Sequence, residues 1–273
     1  MTRRRDTAVL LLLAAALLTA GCGTGSRNTK AGKIKRVESV APTYDIHDDP
    51  ATRKRLARQE KLSLAVNRMQ TGDLANADRL VGELLRQDGG SADTYTVLAM
   101  IRGAQGNATG AGEAYRKAAE LAPEQGEALN NYGAWLCGNG YPAEALVWFD
   151  RAMAAPRYGS PASALANAGG CALQAGQTER GVENLRRALQ LDPVNAYALE
   201  SLARHEVGAR HYFEARAFVE RRLAAAPATA SVLQLAIQIE QGLGDKAAAS
   251  RYQQRLVKEF PQTTTAIPGA NAL

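Results

Sequence analysis

The spacing of four prolines constrains this chain more than any other feature. Pro193, Pro227 and Pro261 follow one another at intervals of 34 residues, and Pro123 precedes Pro193 by two such intervals plus two residues. Each proline follows a run of apolar residues with helical spacing, and proline stops a helix because it cannot continue the hydrogen-bond ladder. A fixed period of this length predicts a chain of two-helix units stacked in a row.

Anchoring the period on these prolines gives six units. They are 58–91, 92–125, 126–159, 162–195, 196–229 and 230–263. Small residues recur at the eighth and twentieth positions, where they let two helices cross closely. A glycine suited to a left-handed helix end falls in each mid-unit turn except the fifth, which has Arg210; these glycines are Gly72, Gly106, Gly140, Gly176 and Gly244.

This pattern resembles the tetratricopeptide repeat, whose period is 34 residues. We therefore expect an all-α fold, a right-handed α-α superhelix of six tetratricopeptide (TPR) repeats over residues 58–263, followed by a C-terminal tail at 264–273. The composition agrees, because 46% of residues are hydrophobic and only 5% are aromatic, as in an Ala/Leu core of close-packed helices. Two extra residues near Ser160 and Pro161 should lengthen the loop between the third and fourth units.

The N-terminus has the features of a lipoprotein signal. Arg3 to Arg5 form a basic start, Ala8–Ala20 is apolar but too short to span a bilayer, and Ala20-Gly21-Cys22 resembles a bacterial lipobox. The resemblance implies that residues 1–21 are a signal peptide and that Cys22 is lipidated. The residue after the cysteine is Gly23 and not Asp, which by the same resemblance implies the outer membrane.

Residues 22–57 are interpreted as the lipidated cysteine and a flexible tether, interrupted by Pro42 and Pro50. The basic residues near the anchor leave two readings open, contact with anionic lipid or cell-wall polymer, or a solvated linker that charge keeps extended. These residues are Arg27, Lys30, Lys33, Lys35 and Arg36.

Signatures of catalysis are missing from the sequence. His205-Glu206 begins a zinc-protease pattern, but Ala209 stands where the second histidine is needed. No Gly-Lys-Ser/Thr phosphate loop and no cysteine cluster for a metal is present. Removing residues 1–21 lowers the net charge from +6 to +4, which does not suggest nucleic-acid binding. We therefore expect no enzyme activity, cofactor, metal site or small-molecule substrate.

Cys137 and Cys171 lie late in the first helices of neighbouring units. They are either a disulfide, which the periplasm permits, or two separate buried side chains. Their positions within the unit differ by two, so the side chains need not face each other.

The first helices of stacked repeats line a concave surface on which partners commonly bind. By resemblance to other TPR proteins, positions two, five, six, nine and twelve of each unit face the partner. These positions supply Asn130, Asn131 and Asn167 as polar groups, with Thr96, Met100 and Leu173 as lining. An amide both donates and accepts hydrogen bonds, so it can hold the backbone of an extended peptide. The alternative is that the asparagines only tie adjacent helices together.

The stretch Leu129-Asn130-Asn131-Tyr132-Gly133, followed by Tyr141, Glu144-Ala145 and Phe149 and by a longer loop at 158–160, resembles the PilF/PilW family of type IV pilus biogenesis lipoproteins. The resemblance implies a pilotin, which helps the pilus secretin reach the outer membrane and assemble into its ring. The alternative is a general periplasmic TPR scaffold for cell-wall or envelope assembly, or a secretion-system component.

Overall fold

The computed structural model describes residues 49–264, and within that range every regular element is a helix. Residues 1–48, with the signal peptide, Cys22 and most of the tether, lie outside the described residues, as does the tail from 265. The helices are α1 (Pro50–Gln70), α2 (Leu74–Asp88), α3 (Ala92–Ala104), α4 (Ala108–Leu121), α5 (Gly126–Gly138), α6 (Pro142–Ala154), α7 (Pro161–Gln174), α8 (Thr178–Leu191), α9 (Ala196–Gly208), α10 (Tyr212–Ala225), α11 (Ala230–Leu243), α12 (Lys246–Glu259) and the short α13 (Pro261–Thr264).

Twelve of these helices form six antiparallel pairs, α1 with α2 through α11 with α12, and each pair corresponds to one predicted unit, with α1 starting eight residues before the first unit. The predicted all-α repeat fold is confirmed. The turns within the pairs have the expected backbone, because the five predicted glycines have φ between 75° and 89°. Arg210 fills the same position in the fifth unit and adopts the same left-handed conformation at φ 61°.

The start of α1 corrects the predicted boundary between tether and repeats. The tether was expected to extend to residue 57, with Pro50 as a breaker, but the helix begins at Pro50. The Asp49 side chain accepts hydrogen bonds from the backbone N–H groups of Ala51 and Thr52 at 2.8 and 2.9 Å. Proline is favoured at the first helical position, where its missing N–H has no intrahelical partner to lose. Pro50 therefore starts a helix and does not interrupt a linker.

Small residues bring the two helices of a pair together, as the repeat pattern predicts. A Cβ at Gly169 would lie 2.9 Å from the carbonyl oxygen of Gly181 and 2.7 Å from the Leu185 side chain, so only a hydrogen fits between α7 and α8. In the third unit, the fully buried Phe149 packs against Gly133 in the same way.

The loop between the third and fourth units spans residues 155–160 and is longer than the other inter-unit loops, as expected. Tyr158 fills the space over Gly126 at the start of α5. Burial, and secondarily the carboxylate of Glu127, raises the pKa of Tyr158 to about 12. The longer loop thus folds back onto the third unit and is not a loose insertion.

The odd-numbered helices form one continuous layer. Each odd-numbered helix from α1 to α9 packs against the next odd-numbered one, while no two even-numbered helices between residues 49 and 264 pack to a comparable extent. Helices on the inside of a curved stack lie closer together, so the odd layer is the concave side. No helix of the described part combines the length and the apolarity needed to cross a bilayer.

Candidate protein-binding surface

Two grooves on the concave layer contain three of the six residues predicted to face a partner, namely Met100, Asn131 and Leu173. We call them the α3–α5 groove and the α7–α9 groove after the helices that border them. Both are open channels and not enclosed cavities, which suits a segment of another protein better than a small molecule.

The α3–α5 groove has a volume of about 380 Å³ and contains Met100, Asn131, Trp135 and Asn139. Met100 is 38% exposed, and Asn131 is half-buried beside it. The groove therefore offers an adaptable apolar side chain next to amide groups that can bond to a peptide backbone.

The α7–α9 groove has a volume of about 530 Å³ and is lined by Leu173, Tyr197, Glu200, Arg204 and His205, among others. The hydroxyl of Tyr197 lies so close to Gly170 that a Cβ at that glycine would clash with it. Burial raises the pKa of Tyr197, a hydrogen bond with Ser201 opposes this shift, and the Glu200 carboxylate adds to it. Tyr197 is therefore neutral at physiological pH and can both donate and accept a hydrogen bond.

Charged side chains on the floor of this groove hold one another in place. Arg204 pairs with Glu200 at 2.8 Å and bonds to Ser231 on α11. Glu200 also lies 3.6 Å from the buried Arg222 on α10. The residues of this ionic cluster lie on α9, α10 and α11, so three helices hold the charged side chains in place before a binding partner arrives. This order lowers the entropy cost of binding.

Between the two grooves, an amide hydrogen bond ties α5 to α7. The Asn167 amide nitrogen donates to the side-chain oxygen of Asn130 at 3.1 Å, and Asn130 is only 9% exposed. This geometry matches the alternative reading of these two residues, in which they link adjacent helices. Asn130 is too buried to serve as the open contact residue it was predicted to be, whereas Asn131 remains accessible in the α3–α5 groove.

A disulfide joins the same two helices. Cys137 on α5 and Cys171 on α7 are bonded, with their Cα atoms 5.8 Å apart. The pair is not two separate buried side chains, which was the other reading of the sequence. The junction between the third and fourth units is thus fastened twice, and the grooves lie on either side of it.

The other residues singled out in the sequence have smaller roles. Thr96 is half-buried on α3 and lines neither groove. His205 lines the α7–α9 groove, and His211 bonds through Nδ1 to the carboxylate of Glu206 at 2.9 Å. Within residues 49–264, no three histidine, cysteine or acidic side chains converge in a way that would hold a metal ion. Cys22 and His47 lie outside the described residues.

Sequence reasoning missed Tyr197, Glu200, Ser201 and Arg204, although the signal was available. They occupy positions two, five, six and nine of the fifth unit, the positions expected to face a partner.

Comparison with known proteins agrees with this geometry. A tetratricopeptide-repeat family model matches residues 92–125 and 162–195, which are the bounds of the second and fourth predicted units. The chain is similar to the crystal structure of PilW, described as a widely conserved type IV pilus biogenesis factor, with 30% identity and a TM-score of 0.68 over 76% of this chain and 94% of that one.

Two further relatives are more distant. A structure of PilF from Pseudomonas aeruginosa is 24% identical, with a TM-score of 0.65 over 77% of this chain and 94% of that one. An uncharacterised protein of Haemophilus influenzae is 26% identical over 146 residues, which cover 54% of this chain and 82% of that protein. The similarity to the PilF structure supports the repeat fold.

Proposed function

The chain belongs to the family of PilW, the widely conserved type IV pilus biogenesis factor, and on that premise we propose that it is an outer-membrane lipoprotein that acts as a pilotin. In this role its TPR domain binds a subunit of the pilus secretin in the periplasm. Binding promotes delivery of the secretin to the outer membrane and its assembly into multimers. No chemical step is involved, and the protein works as a binding scaffold.

The observation that carries the proposal is the extent of the match to PilW. It covers 94% of that chain and so extends over successive repeats, whereas the general repeat model matches only two isolated units. A generic TPR scaffold would be expected to share the repeat motif without sharing so much sequence along the whole solenoid.

Two features of the chain are consistent with an envelope location. Disulfides persist in oxidising compartments such as the periplasm, and Cys137 and Cys171 form one. The N-terminal residues up to Cys22 resemble a lipoprotein signal, and a multiply acylated cysteine is a stable anchor.

The concave layer supplies the means of binding. An extended segment of the secretin lying in the α3–α5 groove would bond to Asn131 and cover Met100. A segment in the α7–α9 groove would meet Tyr197 and the ordered Arg204. Each backbone hydrogen bond contributes about 0.5–1.5 kcal/mol net, so several are needed for a useful affinity.

Deletion of the gene in its native host tests this function. We expect pili to be lost and SDS-resistant secretin multimers to fall sharply, while secretin monomer and pilin synthesis are unchanged. Complementation with the wild-type chain should restore the multimers, and complementation with Cys22→Ser should restore them poorly because the anchor is missing. Normal secretin multimers in the deletion strain would refute the pilotin role and favour a general envelope scaffold.

A further inference from the structure

The first three turns of α1 carry an exposed basic surface that the repeat fold does not explain. The segment 50–61 contains no buried residue, and the first buried side chain of the helix is Leu62. A terminal helical segment without buried side chains gains little from packing, so its sequence is free of core constraints.

The positive charge in this segment is concentrated. Arg53, Lys54, Arg55 and Arg58 fall within six residues, and Glu60 is the sole acidic residue between 50 and 61. No carboxylate of residues 49–264 lies within salt-bridge distance of Arg53, Lys54 or Arg55. By contrast, Lys61 at the end of the segment pairs with Glu83 of α2 at 3.1 Å.

An exposed apolar side chain lies next to two of these cations. Leu56 is 47% exposed, and at about 100° per residue it is flanked around the helix by Arg53 and Arg55, with Lys54 and Arg58 on the opposite side. Basic residues around an exposed leucine are the pattern of helices that lie on a membrane, where the cations meet lipid phosphates and the apolar side chain enters the interface.

We propose that the segment 50–58 of α1 binds the anionic phospholipid surface of the membrane that carries the chain. This rests on the proposed lipid anchor, because Cys22 would keep α1 close to that surface through a tether of about 27 residues. Contact with the lipid headgroups fixes the orientation of the repeat domain relative to the membrane. It also keeps the grooves of the concave layer at a defined distance from the membrane, where the partner binds.

The positive charge of the segment favours anionic phospholipid over a neutral lipid surface. A basic residue near an anionic leaflet raises affinity several-fold, and the attraction falls off within the screening length of the salt. Binding should therefore need anionic lipid and weaken with ionic strength, while Leu56 adds a contribution that salt does not remove.

The test uses the chain from residue 22 onward with Cys22→Ser, so that lipidation does not hide the weaker contact. Its co-sedimentation with vesicles of phosphatidylglycerol and phosphatidylethanolamine is compared with that of a variant carrying Arg53→Gln, Lys54→Gln, Arg55→Gln and Arg58→Gln. Glutamine has a helix propensity close to that of arginine and lysine, so the helix should persist, as far-UV circular dichroism would verify.

The matched control removes four positive charges from other exposed positions, with Arg116→Gln, Lys117→Gln, Arg186→Gln and Arg187→Gln on α4 and α8. We expect the α1 variant to bind anionic vesicles at least tenfold more weakly and the control to bind within twofold of the parent. Equal binding by the α1 variant and the control would overturn the proposal, as would equally strong binding to vesicles of phosphatidylcholine alone. The assay contains no secretin, so its failure would leave the pilotin role to be judged by secretin multimers.

Discussion

Asn167 on α7 donates its amide to the side-chain oxygen of Asn130 on α5, across the junction of the third and fourth repeats. Asn167→Ala should lower the free energy of unfolding by about 1–3 kcal/mol, because it leaves the buried Asn130 oxygen without its donor. Urea unfolding followed by circular dichroism would measure the change. A loss below about 0.5 kcal/mol would show that water replaces the missing amide.

Asn131 lies one residue from Asn130 but faces the α3–α5 groove, which makes it the matched comparison. Asn131→Ala should leave the unfolding free energy within about 0.5 kcal/mol of wild type, as is usual for surface substitutions. It should weaken the affinity for the secretin subunit severalfold, which corresponds to the loss of about one hydrogen bond. Unchanged capture would remove the α3–α5 groove from the binding surface.

The disulfide between Cys137 and Cys171 closes a loop with a sequence separation of 34. In the chain-entropy model such a loop stabilises the folded state by about 3–4 kcal/mol. We expect the double variant Cys137→Ala with Cys171→Ala to lose about that much. Dithiothreitol should destabilise the wild type by a similar amount and leave the double variant unaffected. If dithiothreitol changes the stability of the two proteins equally, the disulfide contributes little.

Arg210 occupies a left-handed turn position that glycine fills in the other five units. Arg210→Gly should stabilise the protein by about 1 kcal/mol, because a side chain with a Cβ is disfavoured at positive φ. Ala209→Gly is the control: Ala209 has φ −81°, and glycine there should give no stabilisation. A gain of the same size at both positions would refute the strain argument, and thermal melting would distinguish the outcomes.

Gly169 marks the tightest crossing between α7 and α8. Gly169→Ala should cost about 1–3 kcal/mol, because the added methyl would clash with the backbone of Gly181 and with Leu185. Gly103 is the control within α3, where a Cβ would meet nothing within 4 Å, so Gly103→Ala should be neutral or slightly stabilising. Similar melting temperatures for the two variants would argue against close helix contact at Gly169.

The sequence predicted the architecture well, because the repeat places each constraint at a fixed interval. The glycines at five of the six turns, such as Gly72, and the small residues at the helix crossings follow from local backbone and packing rules, and the structure agrees at both. The start of α1 was harder to predict, because a proline at position 50 is compatible both with a linker that has no regular structure and with the first turn of a helix. The deciding feature is the cap provided by Asp49.

The contacts between repeats could not be predicted in the same way. Cys137 and Cys171 occupy positions that differ by two within their units, about 3 Å of rise along a helix. The shift and rotation of α7 relative to α5 bring their Cα atoms to 5.8 Å, and the period does not specify that offset. The same arrangement of α5 and α7 pairs Asn167 with Asn130. The sequence was equally compatible with both asparagines as open binding residues.

The most direct test of the account is site-specific photo-crosslinking in living cells of the native host. A photoreactive residue replaces Asn131 in the α3–α5 groove or, as the control, Lys117 on the exposed face of α4. The account predicts a crosslink to the secretin subunit from position 131 and none above background from position 117. A secretin crosslink from 117 but not from 131, or none from either while pili assemble normally, would contradict the claim that the concave layer binds the secretin.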